Sequence, residues 1–304
     1  MAPPPSDAPP ATEWAPLCAA PDPEPRAPAR PLPAGATDCH AHICGPAAAY
    51  PYDPARIYTP PDALLADYRA MLGTLRIERA VLVQPSVYGT DNRVLLKALS
   101  EMGDGARGVA VVPGDASEAE LERLHAGGVR GVRLNLVDVA NPTGALPLAA
   151  ARALGARIAR LGWHVEFLVH VDDVPELDEQ FADFPVDVVF GHLGYFRPGQ
   201  GPDIPGFQAL LRLLEGGRAW VKLTGPYRIS GEALPYRDTD PFARALLETA
   251  PRRIVWGSDW PHVMVRSEMP NDGELADILR HWSGDEATLR SVLVENPKAL
   301  YGFD

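Results

Sequence analysis

The sequence predicts a single-domain (β/α)8 TIM barrel, an α/β fold, on three observations. A length of 304 residues is long for an ordinary domain but normal for one such barrel. From about residue 36 onward, short β-rich runs alternate with longer runs of helical period, the pattern of repeated βα units around a parallel sheet. Imidazoles and a carboxylate recur where β-rich runs end, at His40, His42, His170, His192 and Asp259. Strand C-termini are where a parallel barrel gathers its functional side chains.

Residues 1–34 are dominated by Pro and Ala and cannot bury enough apolar surface to offset the entropy of ordering. They are expected to form a disordered tail ahead of a barrel domain over 35–304. Strands are expected at 37–43, 80–84, 108–112, 131–136, 164–169, 186–192, 220–224 and 253–258. Helical spacing predicts helices over 62–76, 92–102, 118–125, 146–161, 207–215 and 241–249. Asp62 after Pro60-Pro61, and Ser117 ahead of Glu118 and Glu120, supply start signals. Residues 273–304 read as one or two further helices able to close over the barrel. Two smaller α/β domains or a doubly wound open sheet compete with this reading. An open sheet binding a dinucleotide calls for a glycine-rich loop after its first strand, whereas this first strand ends in His40-Ala41-His42.

With 46% hydrophobic residues the chain can bury a large core. A net charge of −12 argues against nucleic acid and anionic membrane surfaces as partners, while small anions remain accessible to locally grouped arginines. Cys18, Cys39 and Cys44 form no CxxC pair, which fits a reducing compartment, with cytoplasm the expectation. The N-terminal tail lacks a basic segment followed by an apolar one, and no apolar run approaches the ~18 residues of a spanning helix. Self-association into a homo-oligomer is compatible with this composition.

His40 and His42, two apart on a strand, point to one side and place two imidazoles in one cavity. Neutral imidazoles there can ligate a divalent metal or donate to a substrate oxygen. Asp259 is expected to point into the barrel mouth, where an acid must be paired, metal-bound or catalytic. As a general base toward water, a carboxylate with a raised pKa would suit. His192, between Gly191 and Leu193-Gly194, caps the sixth strand, and His170 ends the fifth. Arg133 and Asn135 alternate onto one inward face, and Arg228 follows the seventh strand. A guanidinium grips a carboxylate through two parallel hydrogen bonds, so an acidic substrate is expected. Arg130, on the opposite parity, is a secondary candidate. Tyr58, Tyr88, Tyr195 and Arg197 lie in loops at the same end and could line the pocket.

At these residues the chain resembles the amidohydrolase superfamily, in the branch that contains the lactonases, with the greatest likeness to pyrone-dicarboxylate lactonases. The matching pieces run from Asp38-Cys39-His40-Ala41-His42 through Gln84-Pro85-Ser86, residues 130–135, Gly162-Trp163-His164-Val165 and His192-Leu193-Gly194. Pro226-Tyr227-Arg228, Trp256-Gly257-Ser258-Asp259-Trp260-Pro261-His262 and Asn296-Pro297 continue the series in order. The resemblance implies a (β/α)8 barrel and hydrolysis of a small carboxylated lactone in aromatic or sugar-acid catabolism. Asp259 would deprotonate water, while His40, His42 and His192 would hold the developing oxyanion. Arg133 and Arg228 would clamp substrate carboxylate. Lactonases of this kind are regarded as metal-free, whereas other members bind one divalent ion. His170 stands where the lactonase pattern has an acid and metal-binding relatives a histidine. One zinc-like ion on His40, His42, His170 and Asp259 is therefore expected, with metal-free catalysis by the same residues the open alternative. Residues 194–197, Gly-Tyr-Phe-Arg, replace a Gly-Arg-Pro, which can displace an anion-binding arginine. Metal-dependent decarboxylation of an unsaturated or aromatic acid is the alternative reaction.

Overall fold

A computed structural model describes residues 15–138, 146–265 and 267–304. Eight strands lie in sequence order in one parallel sheet, each joined to its neighbour. They are β1 (Thr37–Ala41), β2 (Arg79–Val83), β3 (Ala106–Ala110), β4 (Val129–Asn135), β5 (His164–Leu168), β6 (Val188–Phe190), β7 (Ala219–Leu223) and β8 (Ile254–Trp256). Closure is made just past β8, where the Asp259 N–H donates to the His40 carbonyl and the His42 N–H to the Trp260 carbonyl, both at 2.8 Å. Gly257 permits that approach, since a Cβ there would lie 2.5 Å from the His40 nitrogen. Barrel closure thus brings the first motif onto the last, 213 residues of intervening chain (43–255) notwithstanding.

Helices alternate with the strands: α1 (Leu65–Leu75), α2 (Arg93–Met102), α3 (Glu118–Ala126), α4 (Leu148–Ile158), α5 (Leu177–Phe181), α6 (Pro205–Glu215) and α7 (Asp240–Thr249). Ser117 caps α3 as expected, its hydroxyl accepting from the Glu120 N–H at 3.1 Å. Asp62 does not start α1; its carboxylate accepts from the Ala47 N–H at 3.0 Å, and the helix begins after Leu64. The five-residue α5 is too short to show a helical period and has no counterpart in the sequence-based expectation.

Three helices follow β8: α8 (Asp272–Ser283), α9 (Glu286–Arg290) and, after a π turn over Ser291–Glu295, α10 (Asn296–Tyr301). They leave the strand C-termini open. Tyr301 and Phe303 instead pack among Cys39, Val81, Val109, Val189, Trp220 and Val255 inside the barrel. Arg79 and Arg107 lie over the Phe303 ring at 5.4 and 4.8 Å, which marks this plug as the N-terminal end. Of the expected tail, residues 1–14 lie outside the described residues. Residues 15–34 depart from disorder: Cys18 bonds the Thr59 carbonyl, and Arg26 and Ala29 donate backbone N–H groups to Asn271 and Asp277 of the α8 region. Prolines with fixed φ lose little freedom on docking, so a few such bonds can order the segment. Among the described residues, no helix is long and apolar enough to cross a membrane.

Candidate active site

At the open end of the barrel, a bulge in β1 breaks regular alternation between Asp38 and Ala41. Asp38 turns toward α1 and β8. Its carboxylate accepts from the His40 and Ser258 N–H groups and from the Tyr68 and Ser258 hydroxyls. Burial pushes this carboxyl up to about 6 although all four donors favour its charged form. His40 and His42 face inward with ring centroids 5.0 Å apart, and His192 lies 5.3 Å from His40. Asp259, at φ +67°, completes the group. Ligand atoms of His40, His42 and Asp259 all lie within 4.8 Å of one another, a set able to hold one divalent ion. Two of these atoms are also unspent. His40 Nε2 and Asp259 Oδ1 face each other at 3.7 Å, both buried and neither hydrogen-bonded.

The other atoms of these side chains are held. His42 Nδ1 donates to the Val83 carbonyl at 2.8 Å, leaving Nε2 with its lone pair toward the site. His192 Nδ1 is 2.8 Å from the Thr224 hydroxyl, whose oxygen already accepts the His192 N–H. That hydroxyl hydrogen is free to donate to Nδ1, which puts the ring proton of His192 on Nε2. Asp259 Oδ2 accepts from Arg228 Nε and Tyr227 Oη, each at 2.7 Å. Gly225, at φ +55°, makes room: a Cβ would stand 2.8 Å from that oxygen.

Burial opposes ionisation of Asp259, but the Arg228 guanidinium outweighs it and holds the carboxyl well below the usual range. A raised pKa was expected for this base, and the buried ion pair reverses the sign. Burial, reinforced by nearby arginine charge, lowers His42 to about 4, and burial lowers His192 to about 3. His164, inside the barrel, is likewise lowered to about 3 by burial. All three therefore fold as neutral imidazoles. Between the unfolded value of ~6.5 and those folded values, the unfolded chain binds more protons, so stability falls as pH falls. Asp38 works oppositely below its value of about 6, but one carboxyl faces three imidazoles. Thermal denaturation between pH 7 and 4 is expected to show Tm dropping through this window; a flat or rising Tm would contradict the neutral, buried imidazoles.

Above the group opens a cavity of about 560 Å³ lined by His170, Tyr195, Arg228, Asp138, Ser230 and Met264, among others. Arg133 is buried, with Nη1 3.5 Å from the Gln84 carbonyl and Nε without a hydrogen-bond partner, 4.0 Å from the Glu166 carboxylate. Arg228, expected as a clamp, spends Nε on Asp259 and one Nη on the Val263 carbonyl. Asn135 caps its own turn, Oδ1 accepting the N–H groups of Val137 and Asp138. Tyr58 is buried against the Ser86 hydroxyl. Arg197 reaches the cavity wall but is paired with Asp172 and Asp173.

Three expected residues are not brought to the His40, His42 and Asp259 group. His170 lies past the end of β5 in the cavity wall, its Nδ1 bonded to the Tyr195 carbonyl and its ring on the Tyr195 ring at 4.7 Å. It is absent from the ligand set because β5 stops two residues earlier and presents Glu166 inward instead. Arg130 bonds the carbonyls of His125 and Val129 and lines a separate cavity with Arg107, as its opposite parity dictates. Tyr88 accepts the Gly45 N–H at 2.7 Å and packs on Tyr52.

Sequence reasoning missed two constellations. Lys222, fully buried on β7, lies 2.6 Å from Glu166 directly beneath His40. Tyr227 Oη also lies 3.0 Å from His262 Nδ1, whose Nε2 is 3.2 Å from buried Asp272. The inward parity of Trp220, Lys222 and Thr224 was the available signal for the first.

The closed barrel with imidazoles and a carboxylate at its strand ends is that of the amidohydrolases. The amidohydrolase family model matches residues 37–303, and the chain belongs to that family and is a hydrolase. It is 40% identical over 279 residues to 2-pyrone-4,6-dicarboxylate hydrolase of Comamonas testosteroni, covering 89% of this chain and 91% of the relative. Against 4-sulfomuconolactone hydrolase of Hydrogenophaga intermedia the identity is 34%, covering 89% and 90%. A solved apo structure from Agrobacterium tumefaciens superposes with a TM-score of 0.82 at 33% identity, covering 91% of this chain and 99% of that one.

Proposed function

We propose that this protein opens a small carboxylate-bearing lactone by attack of an activated water on the ring carbonyl. The observation that carries this reading is the unpaired, buried Asp259 Oδ1 facing His40 Nε2 at 3.7 Å, behind Tyr227 and Arg228 of the cavity wall. Arg228 and Tyr227 hold Oδ2, so Oδ1 is the lobe left to take a proton from water. The water oxygen bonds the carbonyl carbon, and the developing oxyanion is met by His192 and His40. His42 presents a lone pair able to orient the water. The carbon–oxygen ring bond then breaks, and the proton held by Asp259 passes to the leaving oxygen. A divalent ion on His40, His42 and Asp259 would supply Lewis acidity and a more acidic water.

Arg133, whose buried Nε has no hydrogen-bond partner and stands 4.0 Å from Glu166 Oε1, fits the substrate carboxylate better than Arg228 does. Arg133→Met is expected to raise KM about 10- to 100-fold with a smaller change in kcat, measured by steady-state kinetics. The substrates for which these relatives are named, a pyrone dicarboxylate and a sulfomuconolactone, support the same class. We also place the protein in the cytoplasm, a reading supported by three thiols outside any disulfide. The test is ring opening followed by proton release across a panel of carboxylated lactones, with and without added zinc. Turnover of at least one supports the proposal. Silence across the panel, or CO2 release from an unsaturated acid instead, overturns it.

A further inference from the structure

Lys222 is a fully buried cation with no role in the steps above, and its surroundings are specific. Its ammonium donates to the Cys39 carbonyl at 2.9 Å and to His40 Nδ1 at 3.2 Å, and forms an ion pair with Glu166 Oε2 at 2.6 Å. An ammonium can only donate, so Nδ1 of His40 must offer its lone pair to Lys222. A neutral imidazole with an unprotonated Nδ1 carries its hydrogen on Nε2. That is the atom facing Asp259 Oδ1. The opposite tautomer has an acceptor at hand as well, because Glu166 Oε1 lies 3.5 Å from the same Nδ1.

We propose that Lys222 is a positioning residue that locks His40 as its Nε2–H tautomer, making it a hydrogen-bond donor at the reaction centre and a poor metal ligand. Glu166 is the counterpart that would accept Nδ1–H and release the Nε2 lone pair for a metal. The choice between metal-free and metal-bound chemistry in this barrel therefore turns on a buried pair one layer below the residues that touch substrate. The inference deepens the proposed function, since an Nε2–H donor is what oxyanion stabilisation by His40 needs. Neighbours of a metal ligand commonly change metal affinity 10- to 100-fold, so this pair has sufficient leverage.

Two measurements test it, and neither uses a lactone, so failure of the ring-opening assay and failure of this inference are distinguishable. In metal-free protein labelled with 15N-histidine, long-range proton–nitrogen correlation spectra report which ring nitrogen of His40 is protonated, the signal being assigned by its loss in His40→Gln. Protonated Nε2 and bare Nδ1 are expected; the reverse pattern overturns the proposal. Zinc titration against a chromophoric chelator is then compared between the parent chain, Lys222→Met and Glu166→Gln/Lys222→Met. The double variant removes both buried charges together, guarding against misfolding of the single one. Zinc binding tighter by about tenfold or more is expected in the folded variants. Unchanged or weaker zinc binding overturns the proposal, and if neither variant folds, the spectrum of the parent chain decides.

Discussion

Asp259→Asn is expected to lower kcat about 10³- to 10⁴-fold while product affinity changes little, the range for losing a general base. An asparagine keeps the shape and can still accept from Arg228 through its carbonyl oxygen, but its amide cannot take a proton from water. The separation of kcat from binding is the informative part. A side chain that merely filled space would weaken product binding together with turnover. Steady-state kinetics with calorimetric titration of the ring-opened product reads both quantities. A loss of kcat under tenfold would remove Asp259 from the base position.

Arg228→Met is expected to have two large effects with one cause. Arg228 and Asp259 form a buried ion pair at 2.7 Å, and removing one partner strands the other. Stranding a buried charge costs about 3–5 kcal/mol, to be read from denaturant unfolding at pH 7. The second effect is on pH dependence. In the parent chain Asp259 is depressed chiefly because Arg228 overcomes the burial penalty, so the proposed base stays ionised throughout the neutral and mildly acidic range. Stability from that depressed carboxyl is present above the unfolded value of ~3.9 and is lost as pH falls below it toward the folded value. Without the guanidinium, burial becomes the leading influence and the carboxyl rises. The acid limb of kcat/KM then moves up toward neutrality, whereas the parent profile stays flat there. A variant with parental stability and a parental acid limb would show that the pair is not what holds Asp259.

The convergence of His40, His42, His192 and Asp259 was legible because each ends a β-rich run, and parallel strands of one barrel end at one rim. His170 shows the limit of that rule. Parity placed it with Glu166 and Leu168, yet β5 ends at Leu168, and the chain turns aside before His170 can reach the ligand group. Arg228 shows another limit. Its position at the rim was foreseen, but its partner was not, since composition and spacing do not reveal that the nearest carboxylate is the proposed base itself.

Hydrophobic period and length alone determined the order of βα units, the parallel barrel and the rim on which polar groups gather, because those properties are repeated locally along the chain. Depth within the barrel, hydrogen-bond partner and sign of a pKa shift belong to the tertiary structure. Lys222 meets His40 and Glu166 from three different strands, and Arg228 reverses the expected pKa shift of Asp259, only because closure of the sheet sets distances between residues far apart in sequence. Electrostatic interaction in a buried site depends on those distances and on exclusion of water, and neither is written in local periodicity.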